Sequence, residues 1–222
     1  MALVISGREI SRVSIVDDDD EARQGYQYSI EDLNLTPVSE TGPINSLTEF
    51  LAIAQERSDA AICDHHLRKR NYAQFNGAEI VAALYRRGFP ALLCTKYETA
   101  EVEEIRKHMR WVPVMMKPDQ LDPSSMEEGF MRCIDEFRGD FQPSRRPWRT
   151  LLRVDDVVSD GRRRWFGVII PAWDSNQVVR VWFDQVPEQI QGIVKPDIRL
   201  HAQVNLGAET SAELYFTDWE ER

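Results

Sequence analysis

The chain has 222 residues, 42% hydrophobic and 29% charged, with a formal net charge of −10, a composition that supplies real cores and excludes disorder throughout. The charge is uneven: residues 1–140 hold 25 acidic and 16 basic side chains, residues 141–222 hold 12 and 11. Neither half has the positive excess with which a protein grips nucleic-acid backbones, so nucleic acid is an unlikely partner on bulk charge.

In chain order, the N-terminus lacks a basic stretch followed by a long apolar one, and no run approaches transmembrane length. Val13–Val16 is a short apolar strand that stops in Asp17, Asp18, Asp19 and Asp20. Residues 22–31 suit a helix, and Leu35–Val38 a strand that Pro37 consigns to an edge. Residues 45–54 repeat apolar positions at helical spacing, and Ala60–Cys63 is a strand ending on Asp64. Helices follow at 77–87, stopped by Gly88, at 99–110, and at 124–137. Between them lie Ala91–Cys94, ending at Thr95, and Val112–Met116, ending at Lys117-Pro118. Five strand and helix alternations predict an α/β, doubly wound, five-stranded parallel sheet over 1–140.

The Gly139–Pro147 stretch, with two prolines and paired arginines, marks a linker over 141–148. Beyond it five of the six tryptophans occur, and 149–158, 165–170, 178–183, 200–206 and 212–216 are expected strands. A small all-β, barrel-like or curled antiparallel domain over 149–222 is the economical reading. Cys63, Cys94 and Cys133 sit in apolar runs without paired spacing, which fits a reducing cytoplasm.

The strand-end groups belong together, because in a doubly wound sheet they meet at one crevice. Carboxylates crowded there repel one another, and oxygen-only ligands suit a hard divalent cation such as magnesium. An acidic pair at Asp17 and Asp18, Asp64 after the third strand, Thr95 after the fourth and Lys117-Pro118 after the fifth, with 22 residues from Thr95 to Lys117, resemble the receiver domain of two-component response regulators over about 12–138. The resemblance implies the flavodoxin-like strand order 2-1-3-4-5. It also implies that Asp64 takes a phosphoryl group from a histidine kinase or histidine phosphotransfer protein. Asp18, Asp64 and the His66 backbone carbonyl would hold magnesium, with Asp17 acting through water. Lys117 would pair with Asp64 and then with the phosphoryl group, Thr95 would donate to it, and the bond before Pro118 would be cis. Receivers of this kind commonly pair through the equivalent of 99–137, which implies a possible homodimer.

The chain departs from that pattern in three places. The 65–77 loop is about five residues longer than is usual in the family and carries Arg68-Lys69-Arg70. Lys96 follows the switch threonine, and Val114 stands where the family has a switching aromatic. Elsewhere the plainer readings prevail. Adjacent His65 and His66 cannot face one way along a strand, Arg162-Arg163-Arg164 is a solvated hairpin edge, and Trp165, Trp173, Trp182 and Trp219 are expected core. A phosphorylation switch is thus weighed against a receiver-like protein-interaction scaffold that works without phosphorylation. A helix-turn-helix output is disfavoured by the strands after 149, and no metabolic enzyme is indicated.

Overall fold

The computed structural model describes residues 2–68, 71–96, 102–159, 161 and 163–221. The chain divides into two compact units, Met1–Phe141 and Gln142–Arg222.

In the first unit, β3 (Arg12–Val16), β4 (Thr36–Glu40), β5 (Ala60–Asp64), β6 (Ala91–Cys94) and β7 (Met115–Met116) form a parallel sheet in the order β4-β3-β5-β6-β7. Counted from β3, that order is 2-1-3-4-5, and the strand containing Pro37 is at the edge. The period-two alternation of a strand sends Val13, Ile15, Ala60, Ile62, Leu92 and Cys94 to one face, where α1 (Asp20–Asp32) and α5 (Pro123–Phe137) cover them with Tyr26, Ile30, Phe130 and Ile134. On the other face pack α2 (Leu47–Arg57) and α3 (Gly77–Tyr85). Both faces are therefore apolar, as a buried parallel sheet requires.

Three elements differ from expectation. An N-terminal hairpin, β1 (Leu3–Ile5) and β2 (Arg8–Ile10), turns through Ser6 and Gly7, both at positive φ, and places Ile5 and Ile10 in the core. The helix expected over 99–110 is α4 (Val102–Arg106) followed by a 3-10 turn at Met109–Trp111; residues 99–101 lie outside the described residues. Pro118 follows a trans bond, since Gly42–Pro43 is the cis peptide among the described residues. Extended Lys117 leads directly into the 3-10 turn Pro118–Gln120, whose first position the fixed φ of proline suits.

The second unit is a five-stranded antiparallel sheet in the order β10-β9-β8-β11-β12, made of β8 (Trp148–Ser159), β9 (Arg164–Ile170), β10 (Asp174–Trp182), β11 (Arg199–Val204) and β12 (Phe216–Glu221). One face buries Leu152, Val154, Phe166, Val168, Val179, Val181, Leu200 and Ala202, closed by Phe183, Ile190 and Trp219. A short helix, α6 (Glu188–Gln191), supplies Ile190. Trp219 is core as expected and Trp173, partly buried, packs against that core, whereas Trp165 and Trp182 fall on the opposite parity to Phe166 and Val181 and stay half-buried outside.

The stretch expected as linker is split: residues 142–147 belong to the second unit. Buried Asn205 explains why. Its amide donates to Ser144 O at 2.9 Å and Glu213 O at 3.1 Å, its carbonyl accepts from Tyr215 N at 2.8 Å, and the Tyr215 hydroxyl donates to Arg145 O. The same brace holds 212–215 out of the sheet, so the last strand starts at Phe216 rather than at 212. Asn205→Ala strips three partners at once and should lower the stability of this unit by about 2–3 kcal/mol. Urea unfolding followed by tryptophan emission measures it, because five of the six tryptophans lie in 142–222.

Candidate functional site

The four aspartates after β3 divide their work. Asp19 is the N-cap of α1, accepting from Glu21 N and Ala22 N, and Asp20 pairs with the buried Arg23. Arg23 also donates to the Asp17 backbone carbonyl, which ties the first turn of α1 to the strand end. Asp17 and Asp18 are left to face Asp64 at the end of β5, and one carboxylate oxygen from each of the three lies within 4.8 Å of the others. The cap role of Asp19 is legible in the sequence, since an aspartate directly before an acidic first turn is a cap signal.

Asp64 is placed by backbone on both sides. Its Oδ2 accepts from His66 N at 2.8 Å, and Gly77, the first residue of α3, donates its N–H to His65 O at 3.1 Å. A side chain at Gly77 would collide with the Asp64 carbonyl, so glycine is required for this close return of the chain. The long loop between them folds back as a packed element. Leu67, Tyr72 and Phe75 are buried, Ala73 N donates to Leu67 O at 2.8 Å, and Ile44 N donates to Tyr72 O at 2.6 Å. Arg68 pairs with Glu79 at 3.1 Å; Lys69 and Arg70 lie outside the described residues. Sequence patterning flagged the loop's length and charge, while Leu67, Tyr72 and Phe75 were the signal that it is packed.

Thr95 and Lys117 stand at the ends of neighbouring strands. Asp64 is in register with Cys94, Cys94 with Met116, and Thr95 N donates to Met116 O at 2.9 Å. Thr95 is fully buried and its Oγ1 has no hydrogen-bond partner among the described residues. Lys117 is exposed and makes no ion pair among the described residues, so the pairing expected with Asp64 is not formed. Val114 is buried against Gly129 of α5. His65 is buried with Nδ1 unpartnered, and burial pushes its pKa down to about 4, leaving it neutral at physiological pH.

Electrostatics follow from crowding. Burial raises the Asp17 pKa to about 7 against the relief of the Asp19 N–H, with Asp64, Asp18 and Asp19 adding repulsion. Burial also raises Asp64, opposed by the N–H groups of His66 and His65. Three carboxylates with an all-oxygen donor set fit a divalent cation, and a cation would remove the repulsion that defines the cluster.

No family model and no curated protein matches the chain. Among solved structures, the chain is similar to a response regulator receiver domain protein of Clostridium thermocellum, at 14% identity over 58% of this chain and 97% of that one, with a TM-score of 0.43. A CheY-like receiver domain protein of Methanospirillum hungatei JF-1 is similar at 18% identity over 59% and 98%, TM-score 0.43. The signal receiver domain of an HD domain-containing protein from Pseudomonas fluorescens Pf-5 is similar at 14% identity over 59% and 91%, TM-score 0.44. What decides the fold is the 2-1-3-4-5 order with helices on both faces and the acids at its carboxyl edge. The first unit has the receiver fold. The receiver unit accounts for the matched part of the chain, and the β-rich unit is unmatched.

Because Asp17 is driven toward its neutral form by the fold, its contribution to stability is full below its unfolded pKa near 3.8 and is lost as pH rises through about 7. Without divalent cation, Asp17→Asn should gain on wild type between pH 5 and pH 8, by on the order of 1–3 kcal/mol. Thermal melts at the two pH values, with and without magnesium, measure the gap; magnesium should narrow it at pH 8.

Proposed function

We propose that the protein is a response regulator whose Asp64 accepts a phosphoryl group from a phosphohistidine, on a histidine kinase or a histidine phosphotransfer protein, and relays the event to the β-rich unit. The observation that supports this best is the convergence of Asp17, Asp18 and Asp64 beside the buried, unpartnered hydroxyl of Thr95. In the reaction the Asp64 carboxylate forms a new P–O bond, the P–N bond to the donor imidazole breaks, and the imidazole, already protonated on its other ring nitrogen, leaves as the neutral ring. Asp18, Asp64 and the His66 backbone carbonyl would hold magnesium, with Asp17 acting through water. The ion supplies charge neutralisation for the acids and the incoming phosphoryl oxygens. The N–H of His66 fixes the Asp64 carboxylate, Thr95 has a donor to offer a phosphoryl oxygen, and exposed Lys117 would swing in to pair with another. A reducing cytoplasm suits the three buried cysteines, none of which is in a disulfide. Among the described residues no helix is long and apolar enough to cross a membrane.

The scaffold reading is favoured by one feature: Val114 offers no aromatic side chain to rotate, and its contact with Gly129 leaves that position packed. The two readings separate cleanly. With magnesium and acetyl phosphate, intact mass should rise by one phosphoryl group in wild type and not in Asp64→Asn. Thr95→Ala should accept the group yet lose any change in size that beryllium fluoride induces in wild type. If neither acetyl phosphate nor a phosphorylated histidine donor yields an adduct, the scaffold stands. A size change would also test pairing through 99–137, of which 99–101 lie outside the described residues.

A further inference from the structure

Where the edge strand β4 ends, the chain turns through Gly42 and Pro43 toward α2 and leaves a cleft of about 330 Å³ that shares no residue with the acidic cluster. Glu40 lines it from the strand, Pro43 from the turn, and Glu49, Phe50, Ile53 and Arg57 from α2. Glu49, Ile53 and Arg57 recur at four-residue steps, which is why one helix face presents all three. The Glu40 side chain is 13% exposed, and its Oε1 is enclosed with no hydrogen-bond partner among the described residues. Its Oε2 meets Arg57 at 3.5 Å, and the Arg57 side chain is itself 52% exposed. Burial raises the Glu40 pKa against the pull of Arg57, as expected of a carboxylate short of donors. Glu49 is exposed and its carboxylate has no partner among the described residues. Ile53 is 44% exposed, an aliphatic side chain left open beside these charges, whereas Phe50 is buried beneath the surface.

We propose that this cleft binds a small organic amine, whose ammonium group bonds Glu40 and whose compact apolar body lies against Pro43 and Ile53. Charge is the first reason. Two carboxylates and one guanidinium line the cleft, Arg57 is paired only with Glu40, and an occupant with one positive charge balances the remainder. The second reason is the enclosed Oε1 of Glu40. A buried acceptor without a donor is costly, and an N–H carried in by a ligand satisfies it through a charge-assisted bond. The third is the open aliphatic surface of Ile53, since pockets of this size combine apolar walls with a few polar anchors. An anion fits less well. The N-terminus of α2 at the rim favours negative charge, but Ser46 already caps it by accepting from Glu49 N at 3.3 Å, and Glu49 sets its own carboxylate in the first turn. A neutral alcohol would leave the excess carboxylate charge unbalanced.

The full-length chain, isotopically labelled for amide NMR and kept in magnesium, is titrated with phenethylamine. Shifts should saturate and centre on Ile44, Glu49 and Ile53, which line the cleft. Phenethyl alcohol, the same body without the charge, should bind about tenfold more weakly, and phenylacetate should not saturate. Glu40→Gln should weaken the amine about tenfold, while Glu128→Gln should leave it unchanged, because Glu128 pairs with Arg132 on α5 and is not part of the cleft. Glu49→Gln, at an exposed position that the fold does not need, is the second variant and should weaken binding about threefold or more. Melting midpoints at the wild-type value show that each variant is folded. Shifts that do not saturate, equal affinity for amine and alcohol, equal losses for Glu40→Gln and Glu128→Gln, or shifts centred on Asp17, Asp18 and Asp64 would each overturn the proposal. So would tighter binding of N-acetyl-lysine amide, which would assign the cleft to a lysine of another protein. Asp64→Asn should bind the amine as wild type does, so the result stands apart from phosphorylation.

Discussion

The receiver unit is organised around mutual repulsion. Asp17, Asp18 and Asp64 are forced together by the convergence of two adjacent parallel strands, β3 and β5, on one edge. In a sheet buried on both faces, that edge is the one place where polar groups can gather without being sealed in a core. Desolvation and crowding both favour the proton, which is why Asp17 is displaced so far upward. The fold tolerates the cluster by surrounding it with fixed positive ends of dipoles. His66 N reaches Asp64, Asp19 N reaches Asp17, and the first turn of α1 begins at Asp20.

That arrangement explains features which otherwise look unrelated. Arg23 is buried because it bridges the strand end and the helix, holding Asp17 by its carbonyl while leaving its carboxylate to the cluster. Gly77 is fixed by the requirement that α3 start against the Asp64 backbone. The long 65–77 loop must leave Asp64 and return to the same point, so its extra length is taken up by packing Tyr72 against Gly42 and donating the Tyr72 hydroxyl to Glu40 O at 2.5 Å. The loop that leaves β5 is thereby tied to the end of the edge strand β4 through the side chain of Tyr72.

How much was legible follows from the kind of signal. The parallel strands were visible because each is a short apolar run with a polar stop, and Asp64, Thr95 and Lys117 were visible because each is that stop. The N-terminal hairpin was not, since Ser6-Gly7 between two three-residue strands gives almost no periodicity to read. The trans bond at Pro118 was missed for a different reason: the expectation came from resemblance, while the local sequence favours a helical turn whose first position a trans proline fills. Asn205 was missed because a polar residue beside a turn signal reads as loop, and only its burial shows that it braces Ser144, Glu213 and Tyr215.

The tryptophans of the second unit show why composition alone could not assign them. A unit this small needs large apolar groups, and Trp219 fills that need by packing edge-on against Phe166 at 6.1 Å and stacking on Phe216 at 5.6 Å. Trp165 and Trp182 are no less apolar, yet each is one residue from a core position, and a one-residue step in a strand reverses the face. Placed outside, an indole needs something to cover its ring, and arginine does so without closing the surface, because the charge stays hydrated at its rim. The core of this unit is therefore aliphatic with a few aromatics, while Trp165 and Trp182 stand half-buried on the outer face beneath arginines.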